Sequence, residues 1–221
     1  MFTKLKQALK SITTRDADRL AALLDQLDDP LAHQVEWSAA SSGGTNFRTH
    51  RLVEVSPLRA EFRLSIGALL FCALFFFVGL GVLGIGIATL LGIMPKGAPW
   101  WITIPFGLVF ASAGAGMWWY MSRPRIFDMH DLWYWRGKRP TDRNAVEACK
   151  HAAPLDRVHA IQIISEHCRG DDSSYYSYEI NLVLHDATRV NVIDHGNLKH
   201  IRKDAQTIAN LIGVPVWDAT A

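Results

Sequence analysis

The strongest pattern along the chain is the loss of polar spacing in its middle. Residues 64–95 include no Asp, Glu, Lys, Arg or His, and a second such run, 97–122, follows Lys96. Each is longer than the ~20 apolar residues needed to span a bilayer. Backbone amides in hydrocarbon have no water to bond, so both runs are expected to be helices despite their glycines and β-branched residues. Trp100 and Trp101 open the second run, and Trp118, Trp119 and Tyr120 close it. About 26 Å of helix separates the two aromatic groups, which matches the hydrocarbon layer. The reading is a transmembrane helical hairpin over 65–121.

Small residues recur four apart in each run: Gly84, Ala88 and Gly92 in the first, Gly107, Ala111 and Ala115 in the second. That spacing predicts faces where backbones approach closely, either between the two helices or between copies of the chain. No charged group lies inside either run, which argues against an ion path or proton relay.

On either side the periodicity changes. Residues 1–35 read as amphipathic helices. Phe2, Leu5, Leu9 and Ile12 share one face of the first, and Leu20, Leu23, Leu24 and Leu27 form the stripe of the second. Residues 36–46, rich in Ser, Ala and Gly, read as a flexible linker. Alternation over 47–55 and 60–64, around Ser56-Pro57-Leu58-Arg59, predicts a juxtamembrane β-hairpin over 47–64. It fits equally a separate hairpin and a first part of the domain that follows the second span.

That domain, 123–221, is mostly β in pattern. Candidate strands at 126–129 and 132–137 flank a turn at His130-Asp131, and another covers 155–165, with a polar turn predicted over 166–174. Residues 141–151 are polar and weakly helical. Tyr176, Tyr178, Ile180, Leu182 and Leu184 alternate with Ser177, Glu179, Asn181, Val183 and His185, and Val190 and Val192 are expected to face inward from the next strand. Asn197 then caps a helix with the stripe Leu198, Ile201, Ala205, Ile208 and Ile212, which Gly213 and Pro215 end.

Charge adds orientation. Arg48, Arg51, Arg59 and Arg63 precede the hairpin and Arg123, Arg125, Arg136, Lys138 and Arg139 follow it, against Lys96 alone in the turn. Both termini should face the cytoplasm, with the hairpin in a bacterial inner membrane and its first helix an uncleaved signal anchor. A net charge of +2 is too small to argue for nucleic acid. Cys72 falls in a span and Cys149 and Cys168 in cytosol, so no disulfide is expected.

Several local segments, Phe127-Asp128, Trp133-Tyr134-Trp135-Arg136-Gly137, Tyr175-Tyr176-Ser177-Tyr178-Glu179, Val192-Ile193-Asp194-His195-Gly196-Asn197 and Gly213-Val214-Pro215-Val216-Trp217, carry a resemblance. Together with the order of elements, they resemble uncharacterised bacterial two-span inner membrane proteins with a pleckstrin-homology-like cytosolic domain. The resemblance implies an α+β membrane protein: a two-helix transmembrane hairpin plus an antiparallel β domain closed by a C-terminal helix. It implies no particular activity.

The chemistry is sparse. Nine histidines occur without metal-ligand spacing, so neither a metal nor a cofactor is expected. Asp194-His195 and Glu166-His167 are the acid–base pairs a membrane-surface enzyme would use, although Asp194-His195-Gly196-Asn197 reads more plainly as turn chemistry. Lys199, Arg202 and Lys203 occupy the first turns of the last helix, where the dipole favours anions. With His195 they are the candidate contact for an acidic partner or anionic phospholipid. The expected function is a non-enzymatic, membrane-anchored binding or scaffolding protein whose partner is a membrane protein, a second copy of the chain or lipid. The alternatives are an accessory subunit or assembly factor of a membrane complex, and a membrane-surface enzyme.

Overall fold

The computed structural model of the chain describes residues 14–41, 43–94, 98–139, 151–169 and 174–220. The helix predicted within 1–12 and most of the 141–151 segment lie outside them. The described residues form an α+β fold of four α-helices and two sheets.

The first sheet contains β1 (His50–Ser56), β2 (Arg59–Leu64), β3 (Arg125–Asp128), β4 (Trp133–Arg136) and β5 (Ala152–Pro154), antiparallel and in that order. Between β2 and β3 the chain leaves the sheet to form α2 (Ile66–Leu90) and α3 (Trp100–Met121). It returns beside the strand it left, with Arg59 opposite Asp128 and Phe62 opposite Arg125. The strands on either side of the apolar helices therefore belong to one sheet.

The second sheet has the order β8-β7-β6-β9. β6 (Val158–Arg169), β7 (Ser174–Leu184) and β8 (Arg189–His195) form an antiparallel meander, while β9 (Val216–Asp218) runs parallel to β6. The β6–β7 pairing extends through Glu166 opposite Ser177 and Arg169 opposite Ser174, so 166–169 is strand and not the predicted turn. The helix α4 (Leu198–Ile212) starts on Asn197, whose side chain accepts the His200 N–H, and ends on Gly213 at φ 85°, a conformation that glycine adopts without a Cβ penalty. Phe127 and Tyr134 of the first sheet, Ile161, Ile180 and Leu182 of the second, and Ile201 and Ile208 of α4 share one core.

The opposite face of the second sheet is covered by chain from the N-terminal side. Below α1 (Thr14–Leu27), Ala32 and Val35 pack with Ala160, Val183 and Trp217, and the Trp37 ring lies 5.9 Å from that of Trp217. The segment read as a flexible linker continues across this face. Glu179 accepts the N–H groups of Ala40 and Ser41 at 3.0 and 3.2 Å, Glu166 accepts that of Gly43, Arg189 donates to Ser38 O, and the Tyr175 hydroxyl donates to Gly44 O. Its composition rules out a helix or strand, but carboxyl groups on β6 and β7 take the bonds that regular structure would have supplied. Gly196 is needed for space: a Cβ there would lie within 3 Å of the Asn46 backbone.

The helices α2 and α3 are each long and apolar enough to cross a membrane, and only 17% and 11% of their most apolar windows are buried within the protein. They pack on each other along Cys72, Gly79 and Gly86 of α2 and Thr103, Gly107, Ala111 and Gly114 of α3. A Cβ on Gly107 or Gly114 would come within 3 Å of the backbone of Leu83 or Phe76. On α2 this seam has a seven-residue period, where the sequence reading used four. Gly107 and Ala111 lie in it. Ala88 is half-buried, whereas Gly84 has open space at its Cβ and Ala115 is exposed. Gly92, at φ 74°, ends α2, with Ile93 N–H bonded to Ala88 O.

Candidate functional site

Two polar features meet where α2 and α3 join the first sheet. One is a buried collar built from residues 48–50. Ser65 caps α2 by accepting the Ala68 N–H, and its hydroxyl donates to Arg48 O at 2.7 Å while its N–H donates to Thr49 O at 2.9 Å. At the end of α3, His50 Nε2 lies 2.9 Å from Met121 O and accepts a hydrogen bond from Arg125 Nη1. A guanidinium can only donate, so the ring proton of His50 sits on Nδ1, facing Thr49 Oγ1 at 2.9 Å, and Met121 O is a close contact of Nε2 and not its hydrogen-bond partner. Three consecutive residues thus grip the entry of one helix and the exit of the other.

The collar electrostatics follow from burial. His50 is pushed down to about 3 by desolvation and then by the Arg125 charge, which holds it neutral. Arg125, also buried, is drawn down to about 10 by desolvation and by Arg136, which stands directly opposite it in the β3–β4 register. Asp194 is raised by burial and partly restored by Arg125.

The other feature is a groove of about 430 Å³ between the end of α3 and the end of β4, lined by Trp119, Tyr120, Arg123, Arg136, Gly137, Lys138 and His151. Arg123 lies over two rings, 4.6 Å from the Trp119 centroid and 5.1 Å from that of Tyr120. Arg136 donates to the Tyr120 hydroxyl at 3.3 Å. The Gly137 N–H donates to Pro124 O at 2.7 Å and ties the two walls together. Among the described residues, no carboxylate lies within ion-pair distance of Arg123, Arg136 or Lys138.

The contact residues chosen from the sequence are placed differently. His195 is fully buried, which removes it from any contact surface. Its Nδ1 accepts the Asn197 N–H at 3.2 Å, and burial followed by the Arg48 charge holds the ring down at about 4. Arg202 pairs with Asp218 at 2.7 Å and reaches Thr220. Lys199 and Lys203 are exposed on the same helix, and Lys203 acts on buried Asp204, which also pairs with Arg48 at 3.3 Å. Neither acid–base pair converges: Asp194 lies on the face carrying Gly44 while His195 points away from it, and Glu166 holds Gly43 while the His167 ring lies tilted against that of Tyr176 at 4.9 Å.

The groove residues were visible as topology signals, cations following the aromatic end of an apolar run. What joined Arg123 to Arg136 was the β3–β4 pairing, which that signal does not contain. No protein-family model, curated protein or solved structure matches the chain.

Proposed function

We propose that the chain is a membrane-anchored binding or scaffolding protein of the bacterial inner membrane. In this reading α2 and α3 cross the bilayer as a hairpin with both termini in the cytoplasm. The two sheets and α4 form a pleckstrin-homology-like domain that contacts a membrane-protein partner or anionic lipid. The exposure of α2 and α3 supports the first part, since a soluble protein would bury so much apolar surface. The element order supports the second: an antiparallel five-stranded sheet, β1 to β5, a three-stranded meander, β6 to β8, with β9 added beside β6, and the helix α4 after β8.

The observation that carries the reading is the β2–β3 pairing together with the collar. They hold the sheet to the start of α2 by the Ser65 hydrogen bonds, and to the end of α3 by the β3 pairing and the packing of His50 on Met121, so the domain presents one fixed face beside the bilayer instead of swinging on a tether. The test is topology combined with recovery of what is bound. A cysteine replacing Ala98 should react with an impermeant maleimide on intact cells, and one replacing Ser56 only after lysis. Reaction of both from outside overturns the reading. The same holds if cross-linking the full chain in its membrane recovers neither a defined membrane protein nor enriched anionic lipid.

A second reading, an accessory subunit or assembly factor, draws on Gly84. It is exposed, away from α3, and leaves a bare stretch of backbone for a further helix.

A further inference from the structure

We infer that the groove between α3 and β4 binds the phosphate of an anionic membrane phospholipid, with Arg123 and Arg136 as its ligands. The inference rests on the membrane-spanning reading above and gives the lipid contact a site, one that differs from the α4 cations. Three observations converge on it. Arg123, Arg136 and Lys138 line one cavity with no carboxylate partner among the described residues, and Arg125 opposes Arg136 from the next strand. Cations held together against their mutual repulsion present a field that a phosphate relieves.

The guanidinium groups are also ordered before any ligand arrives. Arg123 rests over Trp119 and Tyr120, and Arg136 is held by the Tyr120 hydroxyl. A stacked guanidinium keeps its N–H edge free, and the planar fork matches two phosphate oxygens. Preordering removes part of the entropy that flexible surface lysines lose on binding.

The remaining wall selects an amphiphile over a soluble anion. Trp119 and Tyr120, 69% and 54% exposed, are the last aromatic residues of α3, the position at which such rings sit among headgroups. A phosphate in the groove therefore lies at headgroup depth, with acyl chains free to run beside α3. The α4 patch is less suited, because Arg202 is already neutralised by Asp218 and Lys203 neighbours Asp204.

The experiment uses the full chain in nanodiscs of phosphatidylcholine and phosphatidylglycerol in equal parts, with native mass spectrometry of the lipid retained after release. Wild type should retain phosphatidylglycerol preferentially. Arg123→Gln with Arg136→Gln should lower that preference about tenfold. Arg123→Lys with Arg136→Lys keeps charge but not the fork and should fall between, whereas Lys199→Gln with Lys203→Gln should match wild type. A shared far-ultraviolet circular dichroism spectrum establishes folding.

If wild type prefers phosphatidylglycerol and the groove variants keep that preference, the site is wrong while the lipid function stands. If wild type shows no preference, both this site and the lipid contact of the proposed function fall, and the topology result decides the rest. Displacement of the retained lipid by inorganic phosphate assigns the groove to a soluble anion and overturns the inference.

Discussion

Acidification should weaken the fold through His195, and the size of the effect follows from its surroundings. The ring is fully buried, its Nδ1 accepts the Asn197 N–H, and Arg48 and His200 act on it, holding it down at about 4 against an unfolded value of about 6.5. Between those values the unfolded chain binds a proton that the native chain refuses. This stability is therefore present above the unfolded value and is lost as pH falls below it toward the folded one. From about pH 7 to about pH 5 the loss is about 2 kcal/mol. His50, at about 3 beside Arg125, contributes in the same direction. Asp194 and Asp204, raised by burial, work the other way, since the native chain protonates them first as pH falls.

His195→Asn isolates the effect. Asn retains an acceptor for the Asn197 N–H and does not titrate, and the collar and both aspartates remain. The variant is less stable at neutral pH because the ring volume is lost, but its gap from wild type should narrow by about 2 kcal/mol at about pH 5. The assay is urea unfolding of the full chain followed by near-ultraviolet circular dichroism at both pH values. A gap that stays constant would refute the assignment of His195 as a buried neutral acceptor.

Three further outcomes test the packing. Glu179→Ala frees the Ala40 and Ser41 N–H groups and should cost about 1–3 kcal/mol, with faster hydrogen exchange across 38–44 before any change in β6. Gly196→Ala places a Cβ within 3 Å of the Asn46 backbone and should open new protease cleavage near residue 46 while leaving α4 helical by circular dichroism. Gly114→Leu should splay α2 from α3, because even a Cβ there meets Phe76 N at 2.5 Å, whereas Gly84→Leu, with open space, should not. Cross-linking by a short bifunctional maleimide between cysteines placed at Phe75 and Phe110, whose rings lie 5.6 Å apart, separates the two outcomes.

Elements whose cause lies within a few residues could be read from the chain. The cap at Asn197, the stop at Gly213, the alternation through Ile180 and Leu182 and the two apolar runs all appear where local chemistry puts them. His195 shows where that reading ends. Strict alternation puts Val190, Val192 and then Asp194 inward, but Ile180 pairs with Ile193 while Asn181 pairs with Asn191, so β8 bulges at Val192. Both Val192 and Ile193 face the core, and the parity flips. His195 is carried inside and Asp194 out toward Gly44. One extra residue converted a candidate surface contact into a buried acceptor.

The segment 36–46 failed for a related reason. Ser and Gly encode the absence of regular structure, while the groups that hold this segment, Glu166, Glu179 and Arg189, lie more than a hundred residues away. The cations follow the same logic. Lys199, Arg202 and Lys203 stood out because helical spacing gathers them within one stretch, yet gathering cations does not leave them unpaired, and Asp218 of β9 takes Arg202. Arg123 and Arg136 belong to different elements and were legible only as a topology signal. They converge because β3 and β4 pair with Arg125 opposite Arg136 and because Gly137 bonds to Pro124. A site that needs several unpaired charges gains from drawing them from separate elements: each can be fixed by its own neighbours, here Trp119 and Tyr120, before the repulsion between them has to be met.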